Sequence, residues 1–332
     1  MGQVVRIQTG TRMTKWYAGV DLGGTSIKWT SVDEHGEMAA VRSVPTPLKP
    51  DAVRAAIAGC VREARLTHRS SPEAVCIGTP GLISDEGVFV GPVVNIGGWQ
   101  GTDPRTELEK ALGTPVLVKN DTTLALLAEV TCDESRSPVS HAVGLFLGTG
   151  IGGGLFLDGR LYEGHRGIAG EIGHMVVDPG GRLCGCGSSG CLEQYASGRA
   201  IVAQTIERAG SYDTPLAAMV ARAPSELTAA QVLEMPDDPL AAAVIGVAGD
   251  MLARAVGSLV MSLAPELVIL GGGVMESGEA LRRVLTQRLP DYVITEMAEL
   301  VEIRHASLGH HAGAIGAALY ARSSSTPEVT AA

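Results

Sequence analysis

Short apolar runs alternate with clusters of glycine and polar residues along the chain, a pattern that predicts a mixed α/β protein. Trp16–Asp21 and Ser26–Val32 are apolar runs parted by a glycine turn, and D-E-H-G at 33–36 leads into a third extended stretch. That order reads as consecutive hairpins rather than as a strand–helix–strand unit. A helix is expected over 51–66, with Asp51 in the first turn, where the helix dipole favours a carboxylate. A buried strand, Ala74–Gly78, ends in T-P-G; a helix over 103–112 and a strand Pro115–Lys119 lead to Asn120-Asp121 and a helix over 122–131.

The second half opens in the same way. Strand His141–Leu147 runs into L-G-T-G-I-G-G-G-L, after which a strand Leu155–Asp158 is expected. Two strand–glycine turn–strand arrangements suggest a duplicated α/β design, with chance recurrence of a common glycine-rich hairpin as the competing reading. Helices near 197–209, 237–263, 277–288 and 309–322, with strand Leu267–Leu270 running into G-G-G-V, complete the pattern. Residues 1–14 read as a flexible extension, and S-S-S-T-P-E-V-T-A-A (323–332) reads as a disordered tail.

Composition narrows the class. With 332 residues, 45% of them apolar, the chain can bury two cores of ordinary size. Aromatics are only 4% and glycines number 43, so the cores must be built from Val, Leu, Ile and Ala, with glycine where backbone approaches something closely. The net charge of −10 excludes a protein that coats nucleic acid. An anionic nucleotide would have to be held by local N–H groups and a cation, against the overall field. No apolar run is expected to span a membrane, and the first residues lack an apolar signal core, so a cytoplasmic protein is expected.

Five segments carry candidate chemistry. In D-L-G-G-T-S-I-K, Asp21 ends a strand, and the N–H groups of Gly23, Gly24 and Thr25 suit phosphate oxygens. Asp21 would hold Mg²⁺ through water, and a plain tight turn is the competing reading. G-T-G-I-G-G matches a dinucleotide fingerprint at Gly148, Gly150 and Gly153, but a strand follows it where that fingerprint needs a helix. A phosphate clamp that includes Thr149 and Gly150 fits better, and no G-x-x-x-x-G-K-[ST] is present. Gly271–Gly273, between a strand and a helix, would let a base or ribose lie close to backbone, and a plain strand-to-helix turn is the competing reading. Asn120-Asp121 stands where a strand meets a helix, and Asp121 is either a carboxylate aimed into a crevice or a helix cap.

The fifth segment is the most specific. E-I-G-H ends at His174, and C-G-C-G-S-S-G-C-L-E places Cys184, Cys186 and Cys191 shortly after it. Three thiolates and an imidazole are what tetrahedral zinc takes, and four protein ligands make the metal structural. A disulfide or ordinary free thiols are the competing readings. Glu171, His174 and Glu193 on the same loop would suit sugar hydroxyls, unless both glutamates merely support the ligands. Cys60, Cys76 and Cys132 read as lone buried thiols.

Together these segments resemble the ROK family (repressors, open reading frames and kinases) of the sugar kinase/actin-like superfamily. The resemblance runs from about residue 17 to 322 and rests on D-x-G-G-T-x-x-K (Asp21–Lys28), G-T-P-G at 78–81, Asn120-Asp121, L-G-T-G-I-G-G-G, E-x-G-H, C-x-C-G-x-x-G-C-x-E and the late G-G-G-V. It implies a two-lobed actin-like (ribonuclease H-like) ATPase fold with a zinc-binding loop in the larger lobe. The small lobe would take 15–121 and 308–322, and the large lobe 122–307.

The resemblance also implies an activity: phosphorylation of a hexose at its 6-hydroxyl, glucose first, with Mg-ATP as donor. Asp121 would be the base; Gly81, Asn95, Asn120, Glu171, His174 and Glu193 would hold the sugar, with His174 serving zinc as well. Asp21, Gly23, Gly24, Thr25, Lys28, Thr149, Gly150 and Gly272 would line Mg-ATP. An amino sugar (N-acetylmannosamine, N-acetylglucosamine or kanosamine) is the alternative acceptor, and polyphosphate the alternative donor. A non-catalytic sugar-sensing protein is the alternative class; the acidic charge and the short stretch before the first strand weigh against a DNA-binding repressor. A homodimer or higher homo-oligomer is expected. One departure stands out: relatives read N-D-A-N-A-A-A where this chain has N-D-T-T-L-A-L, so Thr123 replaces an asparagine.

Overall fold

Strand β1 (Trp16–Leu22) is buried along almost its whole length, which explains its unbroken apolar run. It is the centre of a sheet in the first of two units into which the chain divides. The computed structural model describes residues 15–90, 103–133 and 138–325. β2 (Ser26–Asp33) and β3 (Arg42–Pro45) extend the sheet antiparallel on one side of β1. Helix α1 (Pro50–His68) follows, with proline at its start, Asp51 in its first turn and Val53, Ile57, Cys60, Val61 and Ala64 buried along one face. β4 (Ala74–Thr79) then pairs parallel to β1. After α2 (Pro104–Leu112), β5 (Val116–Asn120) pairs parallel to β4 and runs directly into α3 (Asp121–Thr131). Asp21 of β1 lies opposite Gly78 of β4, and Thr79 opposite Asn120 of β5. Asp21, the T-P-G turn and Asn120-Asp121 therefore share the carboxyl edge of one sheet, where ligands of α/β sheets gather.

The second unit repeats the scheme. β6 (Ala142–Leu147), β7 (Ile151–Leu157) and β8 (Arg160–Leu161) form antiparallel hairpins. The helices α4 (Glu193–Ala196), α5 (Gly198–Arg208), α6 (Pro215–Arg222), α7 (Ala229–Leu233) and α8 (Pro239–Leu263) come before β9 (Leu267–Gly271). α9 (Gly273–Glu276), α10 (Glu279–Arg288), α11 (Thr295–Leu300) and β10 (Glu302–His305) complete the unit. The sheet order β8-β7-β6-β9-β10 matches β3-β2-β1-β4-β5 of the first unit strand for strand, as duplication requires.

The chain then returns to the first unit as α12 (Ala312–Ser325). Small residues on α12 let it press onto β1 and α3: a Cβ at Gly316 would sit 1.8 Å from the Leu124 carbonyl oxygen. Leu124, Ala317, Ala318 and Tyr17 share one apolar cluster. α3 thus packs inside the first unit, and the division expected at residue 121 falls after this helix instead. Residues 163–169 also fold with the first unit, although the chain on either side of them belongs to the second.

Three further expectations change. β7 starts at Ile151, not Leu155, because the glycines after the turn pair with β6 up to Leu147. Helix α8, at 25 residues and mean hydropathy 1.6, is long and apolar enough to cross a membrane, contrary to the expectation that no segment is. Leu240, Val244, Leu252 and Val256 are fully buried in the core of the second unit, so its apolar character is that of a core helix. Cys60 and Cys76 are buried as expected, but Cys132, at the end of α3, is only half-buried.

Candidate active site and metal centre

In the first unit, Asp21 and Lys28 come together because the β1–β2 register places them opposite one another; Lys28 Nζ lies 3.5 Å from Asp21 Oδ2. Burial pushes the Asp21 carboxyl above the usual carboxylate range, and Lys28 only partly opposes it. Thr46 Oγ1 holds the turn from outside, donating to the Gly23 carbonyl at 2.7 Å; within the turn the Gly23 N–H donates to the Ser26 carbonyl at 3.1 Å, so that N–H, expected to face phosphate, is engaged in the hairpin.

At the carboxyl end of β5 the competing readings of Asp121 separate. Asn120 caps α3, its Oδ1 accepting from the N–H groups of Thr122 at 2.9 Å and Thr123 at 3.1 Å. Asp121 is therefore the first residue inside the helix and not its cap; its Oδ1 accepts from Thr122 N–H at 2.9 Å. The Asn120 amide also donates to the Gly81 carbonyl at 3.3 Å, joining the T-P-G turn to the start of α3. Thr123 is buried, and Thr122 Oγ1 donates to Asn120 Oδ1 at 2.6 Å, so the altered N-D-T-T run braces the cap. Lys119, just before, is committed elsewhere: its Nζ lies 2.5 Å from Glu163, which accepts from the Tyr320 hydroxyl at 3.0 Å. Asn95 lies outside the described residues.

In the second unit the four predicted zinc ligands converge. One donor atom each from His174, Cys184, Cys186 and Cys191 lie within 4.8 Å of one another. His174 Nδ1 is 3.6 Å from Cys184 Sγ, and the Cys186 and Cys191 sulfurs are 3.7 Å apart, too far for a disulfide. A hydrogen bond from the Ser188 backbone brings the Cys186 thiol down to about 7, whereas burial raises Cys191 to about 12. Three sulfurs and one ring nitrogen gathered this closely fit tetrahedral zinc with no position left for substrate. The loop around them is braced by the Tyr195 hydroxyl, which donates to Asp178 Oδ2 at 2.5 Å and accepts from Arg182 N–H at 2.9 Å.

With Nδ1 turned to the cysteines, His174 Nε2 points the other way and lies 4.0 Å from Glu171 Oε2. Burial raises Glu171 above the usual carboxylate range; His174 lowers it and Glu193 raises it further. Glu193 itself reaches the glycine turn, where its Oε2 accepts from Ile151 N–H at 3.0 Å. A Cβ at Gly173 would stand 2.1 Å from the Ile151 carbonyl oxygen, so the E-I-G-H segment lies directly against β7. Part of the glycine run makes room for this segment: a Cβ at Gly153 would lie 2.6 Å from Ile172 Cδ1.

The β6–β7 turn borders a cleft of about 700 Å³ that sequence reasoning did not map. Gly148, Thr149 and Gly273 line it, as do Arg199, Val202 and Leu227. Gly272 adjoins its floor at φ +88°, where a Cβ would meet the Leu147 carbonyl oxygen at 2.3 Å, so only glycine fits there. The sequence signal for the missed wall was S-G-R-A-I-V-A, a serine-capped helix start with an apolar face: Ser197 accepts from Ala200 N–H at 3.2 Å. A cleft with apolar walls and a few polar groups at its mouth has the usual form of a small-molecule site.

Two duplicated α/β units, with glycine turns at the carboxyl edges of their sheets and a carboxylate at the start of a helix, define a phosphotransferase of the actin-like class. The chain belongs to the ROK family, whose model matches residues 17–324, and it is a sugar kinase. The glucokinase of Streptomyces coelicolor is 35% identical over 92% of this chain and 96% of its own length. The N-acetyl-D-glucosamine kinase of Vibrio atlanticus is 32% identical over 91% of this chain and 98% of its own. A ROK family glucokinase from Streptomyces griseus, solved in complex with glucose and AMPPNP, is 32% identical with a TM-score of 0.77, over 93% of this chain and 99% of its own.

Proposed function

We propose that the protein transfers a phosphoryl group from Mg-ATP to the 6-hydroxyl of a hexose, glucose first, with Asp121 as general base. The observation that carries this reading is the division of roles at the start of α3. The Asn120 side-chain amide caps the helix, so the Asp121 carboxylate is not needed as its cap. In the reaction the 6-hydroxyl proton passes to Asp121, the oxygen attacks the terminal phosphorus in line, and the bond to the ADP oxygen breaks.

Asn120 and Gly81 stand beside Asp121 through their own hydrogen bond, and we assign them, with Asn95, to the sugar. Glu171, His174 Nε2 and Glu193 are assigned to other hydroxyls; the geometry supporting this is the outward turn of Nε2 away from the thiols. Zinc, held by His174 Nδ1 and the three cysteines, would fix the loop and take no part in the chemistry. Mg²⁺ would neutralise phosphate charge near Asp21. Lys28 and the Gly23–Thr25 turn, with Thr149, Gly150 and Gly272, are assigned to the nucleotide.

An amino-sugar acceptor is the second reading, favoured by the N-acetyl-D-glucosamine kinase relatives. The deciding experiment is a coupled ADP-release assay over glucose, mannose, fructose, N-acetylglucosamine, N-acetylmannosamine and kanosamine, with ATP and polyphosphate as donors. The highest kcat/KM on glucose with ATP is expected. An N-acetyl sugar ahead of glucose would select the second reading, and no turnover on any sugar would favour a sugar-sensing protein. A cytoplasmic location and a homo-oligomeric state complete the proposal.

A further inference from the structure

Arg199 is the second residue of α5 and the one charged side chain among the described residues that line the cleft of the second unit. Two contacts hold it at the mouth. Its Nε donates to the Thr149 carbonyl at 3.2 Å, and Nη2 donates to Glu193 Oε1 at 3.4 Å. Glu193 does not depend on that contact, because its other oxygen takes the Ile151 N–H at 3.0 Å and rests against Gly150. The Arg199 side chain is 62% exposed, so the pair with Glu193 is solvent-screened and readily exchanged. A guanidinium has five N–H donors in a planar fork, of which these contacts use two.

The surroundings favour an anion at this point. The Gly198 N–H donates to the Gly148 carbonyl at 2.8 Å, fastening the start of α5 to the glycine turn. That helix start contributes partial positive charge. The chain as a whole carries −10, so a polyanionic donor needs a local cation to offset the field.

We propose that Arg199 binds the phosphate chain of the nucleotide donor, exchanging its contact with Glu193 for phosphate oxygens while the Thr149 carbonyl keeps the side chain in place. This rests on the reading of the cleft as the nucleotide site. It adds a residue outside the glycine motifs, supplied by the sugar-loop side of the same unit.

The test is calorimetric binding of adenosine, AMP, ADP and a non-hydrolysable ATP analogue to the wild-type chain and to R199Q and R199K. R199Q is expected to bind adenosine as the wild type does and to lose about ten- to a hundredfold in affinity for ADP and the analogue, the range for a hydrogen bond to a charged group. R199K is expected to recover much of that loss, since it keeps the charge. Equal losses for adenosine and ADP would make Arg199 a wall of the base pocket. R199K as weak as R199Q would make it a brace for the Thr149 turn. No loss in either variant would also overturn the proposal. Glucose binding without nucleotide, measured alongside, reports on the acceptor reading separately. If glucose and the amino sugars fail to bind while the nucleotide series behaves as expected, the sugar assignment falls and the Arg199 assignment stands.

Discussion

Gly150 and Glu193 occupy interlocking space: a Cβ at Gly150 would lie 2.3 Å from Glu193 Oε2, the oxygen that accepts the Ile151 N–H. Glycine at 150 is therefore explained by a neighbour within the protein as well as by any phosphate. The carboxylate that follows Cys191 by two residues is thereby tied to the β6–β7 turn. Gly150→Ala should displace that carboxylate and strain the turn, at about 1–3 kcal/mol for overpacking. A lower melting temperature and a raised KM for both ATP and sugar are expected. A variant with wild-type melting and kinetics would show that Glu193 moves aside freely.

Asp121→Asn should keep the fold, because the cap of α3 is Asn120 and remains intact. Sugar affinity by calorimetry should stay within a few-fold, and kcat should fall by about 10²–10⁴, the range for a positioned base. Near-normal turnover would remove Asp121 from that role.

Zinc should co-purify with the protein at one ion per chain, measurable by elemental analysis. Cys184→Ser should lower both the zinc content and the sugar affinity, since Cys184 is buried beside His174 Nδ1 and His174 neighbours Glu171. Wild-type sugar affinity in a zinc-free variant would separate the metal from the acceptor site.

Asp21 carries a stability cost with a defined pH dependence. Its folded pKa is raised by burial above the unfolded value of 3.8, so the folded chain holds that proton more tightly. Below the unfolded value both states are protonated and burial costs nothing through ionisation. As pH rises through the folded value the carboxylate must ionise in place, and stability is lost. Asp21→Asn should therefore melt higher than the wild type at neutral pH, with the gap closing toward pH 4, while activity is lost. A gap that widens on acidification would contradict this sign.

Much of the site was legible because its parts are local in sequence. His174, Cys184, Cys186 and Cys191 fall within one loop, so spacing alone brings them near one another, and their sulfur and nitrogen atoms do converge. The Asp21–Lys28 pair follows from a hairpin register. The start of β7 was misplaced because glycine is a poor strand former by propensity, whereas here the pairing with β6 and the close approach of Gly173 to Ile151 override it. Helix α8 shows the same limit in another form, since an apolar segment has one composition whether a protein core or a membrane surrounds it.

By itself, then, the sequence determined the two strand–glycine turn–strand hairpins, the longer helices, the cluster of three cysteines and a histidine that could hold a metal, and the carboxylates at strand ends. Each of these depends on residue type and on spacing over a turn or a hairpin. Only the tertiary structure decided that Asn120 and not Asp121 caps α3, that α3 belongs with α12, that Glu193 rests on Gly150, and that Arg199 borders the cleft. Those relations depend on close approach between segments distant in the chain. A close-packed interior fixes such distances to a fraction of an ångström, whereas sequence spacing constrains them only where the chain is short.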